Sequence, residues 1–147
     1  VGTGSGIDSA ALERKLEAVA TAVARVRPVG PLEALRRLGG PEMAAVAGAV
    51  YQARLDSIPV LLDGFVSVAA VAPLALLVPG SLDHAMASHR STEPGHARLL
   101  TELAKPPIVD LGIGLGEGSG ALLALPVVRA AALAVSDVTT FDEWGLR

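Results

Sequence analysis

The chain has 147 residues, a length that suits one domain with a hydrophobic core. Hydrophobic residues make up 51% and charged residues 18%, which excludes a disordered chain. The net charge of -3 argues against a nucleic-acid partner, and the lack of cysteine excludes a disulfide framework and a thiolate metal site.

A glycine-rich segment, Val1–Gly6, opens the chain and predicts a loop. Asp8 is placed to cap the helix that follows, which we expect to end at Pro28. An apolar stripe at helical spacing predicts that one face of this helix is buried. The stripe consists of Leu12, Leu16, Val19, Val23 and Val26. Lys15 lies at its edge, where it either snorkels over the core or reaches an anion held by the loop.

Proline and glycine divide the middle of the chain into alternating elements. Helices are predicted over Leu32–Leu38, from Pro41 to near Ser57, from Phe65 to about Leu77 and from Pro94 to about Ala104. Short apolar runs predict buried strands at Ile58–Asp63, His84–Ser88 and Pro107–Asp110. Strands that alternate with helices favour a parallel sheet with right-handed crossovers. Ligands bind such sheets beyond the carboxyl ends of the strands.

Two further segments of the chain are strongly apolar. The run from Phe65 to Val78 has 14 residues, fewer than the roughly 20 that cross a bilayer, and predicts a buried helix rather than a membrane segment. A last helix is predicted from about Ser119 to Val135, kinked or restarted at Pro126. Residues 140–144 could add one short turn.

The stretch Leu111–Gly120 has glycine at every second position from Gly112 onwards, with Glu117 as its one carboxylate. It follows a predicted strand and precedes a predicted helix, an order that places ligands against N–H groups at a helix N-terminus. It matches neither the dinucleotide motif nor the Walker motif, because Glu117 replaces the third glycine and no Gly-Lys-Ser/Thr follows. Glu117 therefore either meets a ligand across bare backbone or complements the positive end of the helix.

Other chemistry-bearing residues give weaker signals. His84, His89 and His96 are spaced by five and seven residues, which does not place any pair one helical turn apart and predicts no metal site. Nucleophilic catalysis is not supported, because the sequence has no cysteine and no serine in a G-x-S-x-G elbow. Ser91 either stabilises a turn or contacts a ligand, and Asp63 either faces a ligand or caps the helix after it.

Several segments, in order, resemble the nicotinate-nucleotide–dimethylbenzimidazole phosphoribosyltransferase family. They are Val1-Gly-Thr-Gly4 with Lys15, Gly39–Gly48, Asp63–Phe65, Ser88–His96 and Leu115–Gly120. The resemblance covers essentially the whole chain and implies an α/β fold, with a Rossmann-like parallel sheet and flanking helices, that is a partial domain of a larger enzyme. It implies that residues 1–136 are the C-terminal part of the α/β domain and that residues 137–147 are a helical tail of the small helical domain.

The same resemblance implies an activity. The family transfers the 5-phosphoribosyl group from nicotinate mononucleotide to 5,6-dimethylbenzimidazole, giving α-ribazole 5′-phosphate and nicotinate for the lower ligand of cobalamin. The resemblance also implies a cytoplasmic homodimer that needs no cofactor and no metal, and that contacts neither nucleic acid nor membrane.

Residue roles follow from matching positions. Glu117 matches the catalytic glutamate, which takes the N–H proton of the attacking base. The matched substrate-binding positions are Gly4 and Lys15 for the nucleotide phosphate, Gly64 and Ser91 near the nicotinate nucleotide, and Leu115 and Gly116 at the base.

Two other functions stay open. The family's N-terminal part would supply a second glutamate and most of the base pocket, so the chain could be a truncated, non-catalytic module that binds a nucleotide or a benzimidazole. The presence of Glu117 favours the enzyme. A nucleotide-dependent oxidoreductase is disfavoured, because the dinucleotide fingerprint is absent.

Overall fold

The computed structural model describes residues 1–4, 6–26 and 29–146. Within these ranges it contains six helices and three strands. In chain order they are α1 (Ser9–Arg25), α2 (Pro31–Leu38), α3 (Pro41–Leu55), β1 (Val60–Leu62), α4 (Phe65–Leu77), β2 (Ala85–His89), α5 (Pro94–Glu102), β3 (Pro107–Val109) and α6 (Ser119–Ser136). Every predicted helix and strand is present in the described residues, with ends that coincide or are displaced by at most three residues.

The three strands form a parallel sheet in the order β1-β2-β3, which confirms the predicted sheet type. Leu62 of β1 pairs with Ala87 of β2, and His89 at the end of β2 pairs with Val109 of β3. The loops that follow all three strands therefore leave from the same side of the sheet, which we call the carboxyl edge.

The main core lies between the sheet and helices α3, α4 and α5. Strand residues contribute to it alternately, as expected when successive side chains point to opposite faces. Its buried members are Val50, Leu62, Val68, Val71, Leu82, Ala85, Ala87 and Leu100. Helix α6 contacts all three strands but adds no residue to this cluster, so it covers the other face of the sheet.

Helix α1 differs from its prediction in two respects. Asp8 caps it as expected by accepting the Ala11 N–H at 2.7 Å, but none of its residues is buried, and Leu16, Val19 and Val23 of the apolar stripe are exposed. The prediction of a buried face is wrong for the described residues, because they supply no surface for the stripe to pack on. The helix ends at Arg25, and the predicted stop at Pro28 lies outside the described residues.

Helix α6 is held mainly through its first turns. Gly120 and Ala124 are its buried residues, and the helix runs without a break through Pro126. Its 18 residues have a mean hydropathy of 1.7, so α6 is long and apolar enough to cross a bilayer by length and composition alone, and 11% of it is buried. The Trp144 N–H bond to the Thr140 carbonyl closes the single turn expected beyond it.

Candidate functional site

Four loops meet at the carboxyl edge and are joined by hydrogen bonds. The Gly4 N–H donates to Oε1 of Glu93 at 2.7 Å, which ties the N-terminal loop to the loop after β2. The Thr92 N–H donates to the Ile113 carbonyl at 3.2 Å, which ties the loop after β2 to the loop after β3. The Gly118 N–H donates to Oδ2 of Asp63, which joins the loop after β3 to the end of β1. The fold thus brings together residues from widely separated parts of the sequence.

Glu117 occupies a tight turn in front of α6. Its φ is +56°, between Gly116 at +82° and Gly118 at +81°, and the Ser119 N–H donates to the Gly116 carbonyl at 3.0 Å. Positive φ at both central residues is the signature of a type I′ turn, which glutamate rarely enters. We call residues 116–119 the glutamate turn. Positive φ in a residue other than glycine is enriched at functional sites, and in this chain Ser57 and Ala104 also have it.

The Glu117 carboxylate is exposed, and within the described ranges it makes neither a hydrogen bond nor an ion pair. The other role open to Glu117, which is to complement the positive end of α6, is filled by Asp63. Asp63 accepts the Ala121 N–H at 2.9 Å and the Gly118 N–H at 3.1 Å. Glu117 is therefore available to a ligand.

The neighbouring glycine-loop residues leave space beside this carboxylate. Leu115 is 72% exposed and Gly116 is half-buried. Gly114 lies against the loop after β2, because a Cβ there would stand 2.7 Å from the Thr92 hydroxyl. An exposed leucine beside a free carboxylate offers an apolar surface to a flat heterocycle.

Gly64 and Ser67 cap α4 through their mutual hydrogen bonds, so the suggestion that Asp63 caps this helix is wrong. Asp63 reaches across to α6 instead. Gly64 itself lies beside the His89 ring. A Cβ added to Gly64 would stand 3.6 Å from the nearest atom of that ring. Its backbone is therefore at the carboxyl edge, close to the first turn of α6.

Ser91 is anchored by the buried ring of His96, a residue to which the sequence assigned no such role. The Ser91 N–H donates to Nδ1 of His96 at 3.0 Å, and the Ser91 hydroxyl lies 2.9 Å from the same nitrogen. Burial, with a smaller contribution from nearby His89, lowers the pKa of His96. Since Nδ1 accepts from an N–H, the ring is neutral and its proton is on Nε2. A neutral, fully buried imidazole therefore fixes the Ser91 loop.

Gly4 and Lys15 converge on the carboxylate of Glu93, a residue that the sequence did not single out. Lys15 Nζ donates to the Gly2 carbonyl at 2.8 Å and lies 4.0 Å from Oε1 of Glu93, the oxygen that accepts the Gly4 N–H. An ammonium group and a loop N–H around one oxyanion form an arrangement that also suits a phosphate. The sequence signal was present, because Glu93 directly precedes Pro94 in a loop after a strand.

No group of three or more His, Asp or Glu side chains in the described ranges is arranged to hold a metal ion. What the carboxyl edge offers is a free carboxylate on a fixed turn, an anion-binding loop with a lysine, and exposed backbone between them. These groups suit proton transfer to or from a bound phosphate ester.

Comparison with known proteins gives a consistent result. The sequence profile of a family described as phosphoribosyltransferase matches residues 1–146. A nicotinate-nucleotide–dimethylbenzimidazole phosphoribosyltransferase of Brucella canis is 50% identical over 99% of this chain, and that of Novosphingobium aromaticivorans is 51% identical. The chain spans 44% of the length of each.

Solved structures agree with the sequence relatives. The crystal structure of CobT from Thermus thermophilus superposes on the whole chain with a TM-score of 0.91 at 42% identity, and the chain covers 44% of it. A second structure, of the phosphoribosyltransferase from the same organism, superposes with a TM-score of 0.86. The parallel α/β fold is therefore part of a larger fold, as the resemblance implied. The chain belongs to the nicotinate-nucleotide–dimethylbenzimidazole phosphoribosyltransferase family.

Proposed function

We propose that this chain carries the catalytic carboxylate and the phosphate-binding groups of an enzyme that transfers the 5-phosphoribosyl group of nicotinate mononucleotide to 5,6-dimethylbenzimidazole. The products are α-ribazole 5′-phosphate, for the lower ligand of cobalamin, and nicotinate. The observation that carries the proposal is the free Glu117 carboxylate on the glutamate turn, in a chain whose relatives bear this enzyme's name.

The chemistry assigns Glu117 a defined step. One benzimidazole nitrogen attacks C1 of the ribose while the bond from C1 to the nicotinate nitrogen breaks. The pyridinium nitrogen takes the bonding electron pair and becomes neutral, so the leaving group needs no acid. Glu117 accepts the N–H proton of the incoming base and, as an anion, stabilises positive charge that develops on the sugar.

Substrate contacts are proposed at the other matched positions of the carboxyl edge. Gly4 and Lys15 hold the 5′-phosphate, since both already converge on an oxyanion. Gly64 and Ser91 lie along the nicotinate nucleotide at the carboxyl edge. Leu115 and Gly116 line the part of the site that binds dimethylbenzimidazole.

Two wider features belong to the same proposal. The enzyme is cytoplasmic, as the resemblance implies, and forms a homodimer, for which the exposed apolar residues of α1 and α6 offer surface. Residues 137–147 belong to a small helical domain, supported by the exposed Phe141 and Trp144 in the described part of that segment.

A hybrid enzyme gives the direct test. We would replace the matching region of the Brucella canis relative with this chain and measure α-ribazole 5′-phosphate formation. We expect the hybrid to be active and Glu117→Gln to lower kcat by at least about 100-fold, because a positioned base contributes on the order of 10²–10⁴. KM for nicotinate mononucleotide should change little, since Gln keeps the size of Glu.

The matched control is Glu102→Gln, an exposed carboxylate at the end of α5 that should leave turnover unchanged. Normal turnover by the Glu117→Gln hybrid would contradict the proposed role.

The second candidate function is a module that binds a nucleotide without transfer, supported by the convergence of Gly4 and Lys15 on one oxyanion. The two candidates differ in one measurement. A chain that binds nicotinate mononucleotide by calorimetry, but whose hybrid forms no product, would establish the binding module.

A further inference from the structure

The glutamate turn has an unusual cap. The N-cap residue of a helix normally accepts the N–H of the second or third helical residue with its own side chain. Here the N-cap is Gly118, which has no side chain and makes no such bond. The missing acceptor comes from Asp63, which lies 58 residues earlier than the Ala121 that it caps.

Asp63 binds both sides of the point where the turn becomes a helix. Oδ2 accepts the Gly118 N–H at 3.1 Å and Oδ1 accepts the Ala121 N–H at 2.9 Å. The Gly118 N–H belongs to the peptide unit that begins at the Glu117 carbonyl. A fixed orientation of that peptide unit therefore fixes ψ of Glu117, whose φ is already positive.

Asp63 is itself held in place. The Ser88 hydroxyl donates to the Asp63 carbonyl at 2.8 Å, and Nδ1 of His89 lies 3.9 Å from Oδ1. Ser88 and His89 are fully buried at the end of β2. The orientation of the glutamate turn is thus set by the buried sheet rather than by the glycine-rich loop alone.

We propose that Asp63 is a positioning residue for Glu117. Its carboxylate binds the Gly118 and Ala121 N–H groups and holds the left-handed glutamate turn in the orientation needed for proton transfer. The inference rests on the proposed function, since it assigns Asp63 a role in the same reaction. It predicts an effect on kcat rather than on substrate binding, because Asp63 has both oxygens engaged by the protein.

The kinetic test uses the hybrid enzyme. Asp63→Asn keeps the size of the side chain but leaves one acceptor for two N–H donors. We expect kcat to fall by roughly 10- to 100-fold, the scale of a misplacement of about 1 Å, with KM for nicotinate mononucleotide within about twofold. In the Glu117→Gln background the same change should have almost no further effect, because Asp63 acts through Glu117. Normal kcat, or losses that multiply in the double variant, would overturn the inference.

A second measurement does not depend on activity. In the full chain, Asp63→Asn should speed amide hydrogen exchange at Gly118 and Ala121 by at least about fivefold, while Ala11 stays unchanged. The matched variant Asp8→Asn should speed exchange at Ala11 and leave Gly118 and Ala121 unchanged, because Asp8 caps α1. Unchanged exchange at both α6 amides in Asp63→Asn would overturn the positioning role. An inactive unmutated hybrid would instead count against the proposed function.

Discussion

Three of the carboxylates at the carboxyl edge have different surroundings, and this difference separates their roles; a fourth, Asp110, pairs with Arg90. Asp63 has both oxygens bound to backbone N–H groups, which suits the proposed positioning role rather than contact with substrate. Glu93 accepts one backbone N–H beside Lys15, so it occupies an anion site. Glu117 is exposed, with no partner among the described residues, which supports its proposed role as the reacting carboxylate.

The position of Glu93 leads to a prediction about substrate affinity. The Glu93 carboxylate accepts the Gly4 N–H, which is the donor that we assign to the 5′-phosphate. The phosphate must therefore displace this carboxylate, and it is repelled by the negative charge of Glu93. In the hybrid enzyme, Glu93→Gln should lower KM for nicotinate mononucleotide by about two- to fivefold, the range of a partly exposed ion pair. The difference should shrink at high salt.

The control substrate is the nucleoside that lacks the 5′-phosphate. Its KM should be the same for the unmutated hybrid and for the Glu93→Gln variant, since no phosphate competes with the side chain. A higher KM for the phosphorylated substrate would show instead that Glu93 organises the N-terminal loop for binding.

At the scale of elements, the contact between α6 and β2 places the glutamate turn. Gly120 in the first turn of α6 lies directly against the ring of His89, and a Cβ at this position would overlap that ring. His89 is 1% exposed and cannot move aside. The glycine at position 120 is therefore required by the close approach of helix and strand, whereas Gly116 and Gly118 are required by positive φ.

This packing predicts a large effect for one methyl group. Gly120→Ala should lower the free energy of unfolding by about 1–3 kcal/mol through overpacking, and should lower kcat because α6 moves away from Asp63. Urea unfolding and the hybrid assay would measure the two effects.

A matched glycine lies in another helix. Gly48 in α3 is exposed, and an added Cβ meets no atom within 4 Å. Gly48→Ala should therefore raise the free energy of unfolding, by up to about 1 kcal/mol, because alanine favours helix. Equal effects of the two substitutions would show that helix propensity, rather than the His89 contact, governs position 120.

At the scale of the whole molecule, the outer surface carries many apolar side chains. From residue 129 to the end of α6 every residue is exposed, including Leu133 at 55% and Val135 at 88%. Apolar surface of this extent is typical of surfaces that another protein surface covers. Because the chain spans 44% of the length of its relatives, the rest of a longer enzyme and the second copy in the proposed homodimer are both candidates to cover this surface.

The proposed homodimer is tested by the oligomeric state. Sedimentation velocity should show a dimer of the hybrid enzyme, and the double variant Leu133→Glu with Val135→Glu should weaken it by at least about tenfold if the second copy buries these two side chains, since two charges would then be buried. The folded monomer should be little affected, because both positions are exposed. Leu76→Glu, at a 74% exposed position on α4, is the control for added charge. A monomeric unmutated hybrid would contradict the dimer.

Local features of the sequence predicted most of the fold. Caps, prolines and apolar runs act on neighbouring residues, so they located all six helices and three strands of the described ranges and the parallel alternation. The glycine stretch also predicted a loop that presents Glu117 before a helix. Helical periodicity failed for α1, because an apolar stripe indicates which face would be buried but not whether a partner surface is present.

The tertiary structure alone decided how the site is assembled. Sequence determined that Asp63 follows a strand and that Glu117 precedes a helix. It could not determine that Asp63 caps α6 rather than α4, that Glu93 occupies the Gly4 loop, or that His96 fixes Ser91. Hydrogen bonds across 58 or 89 residues depend on strand order and register, and these are set by packing of the whole sheet rather than by any local pattern.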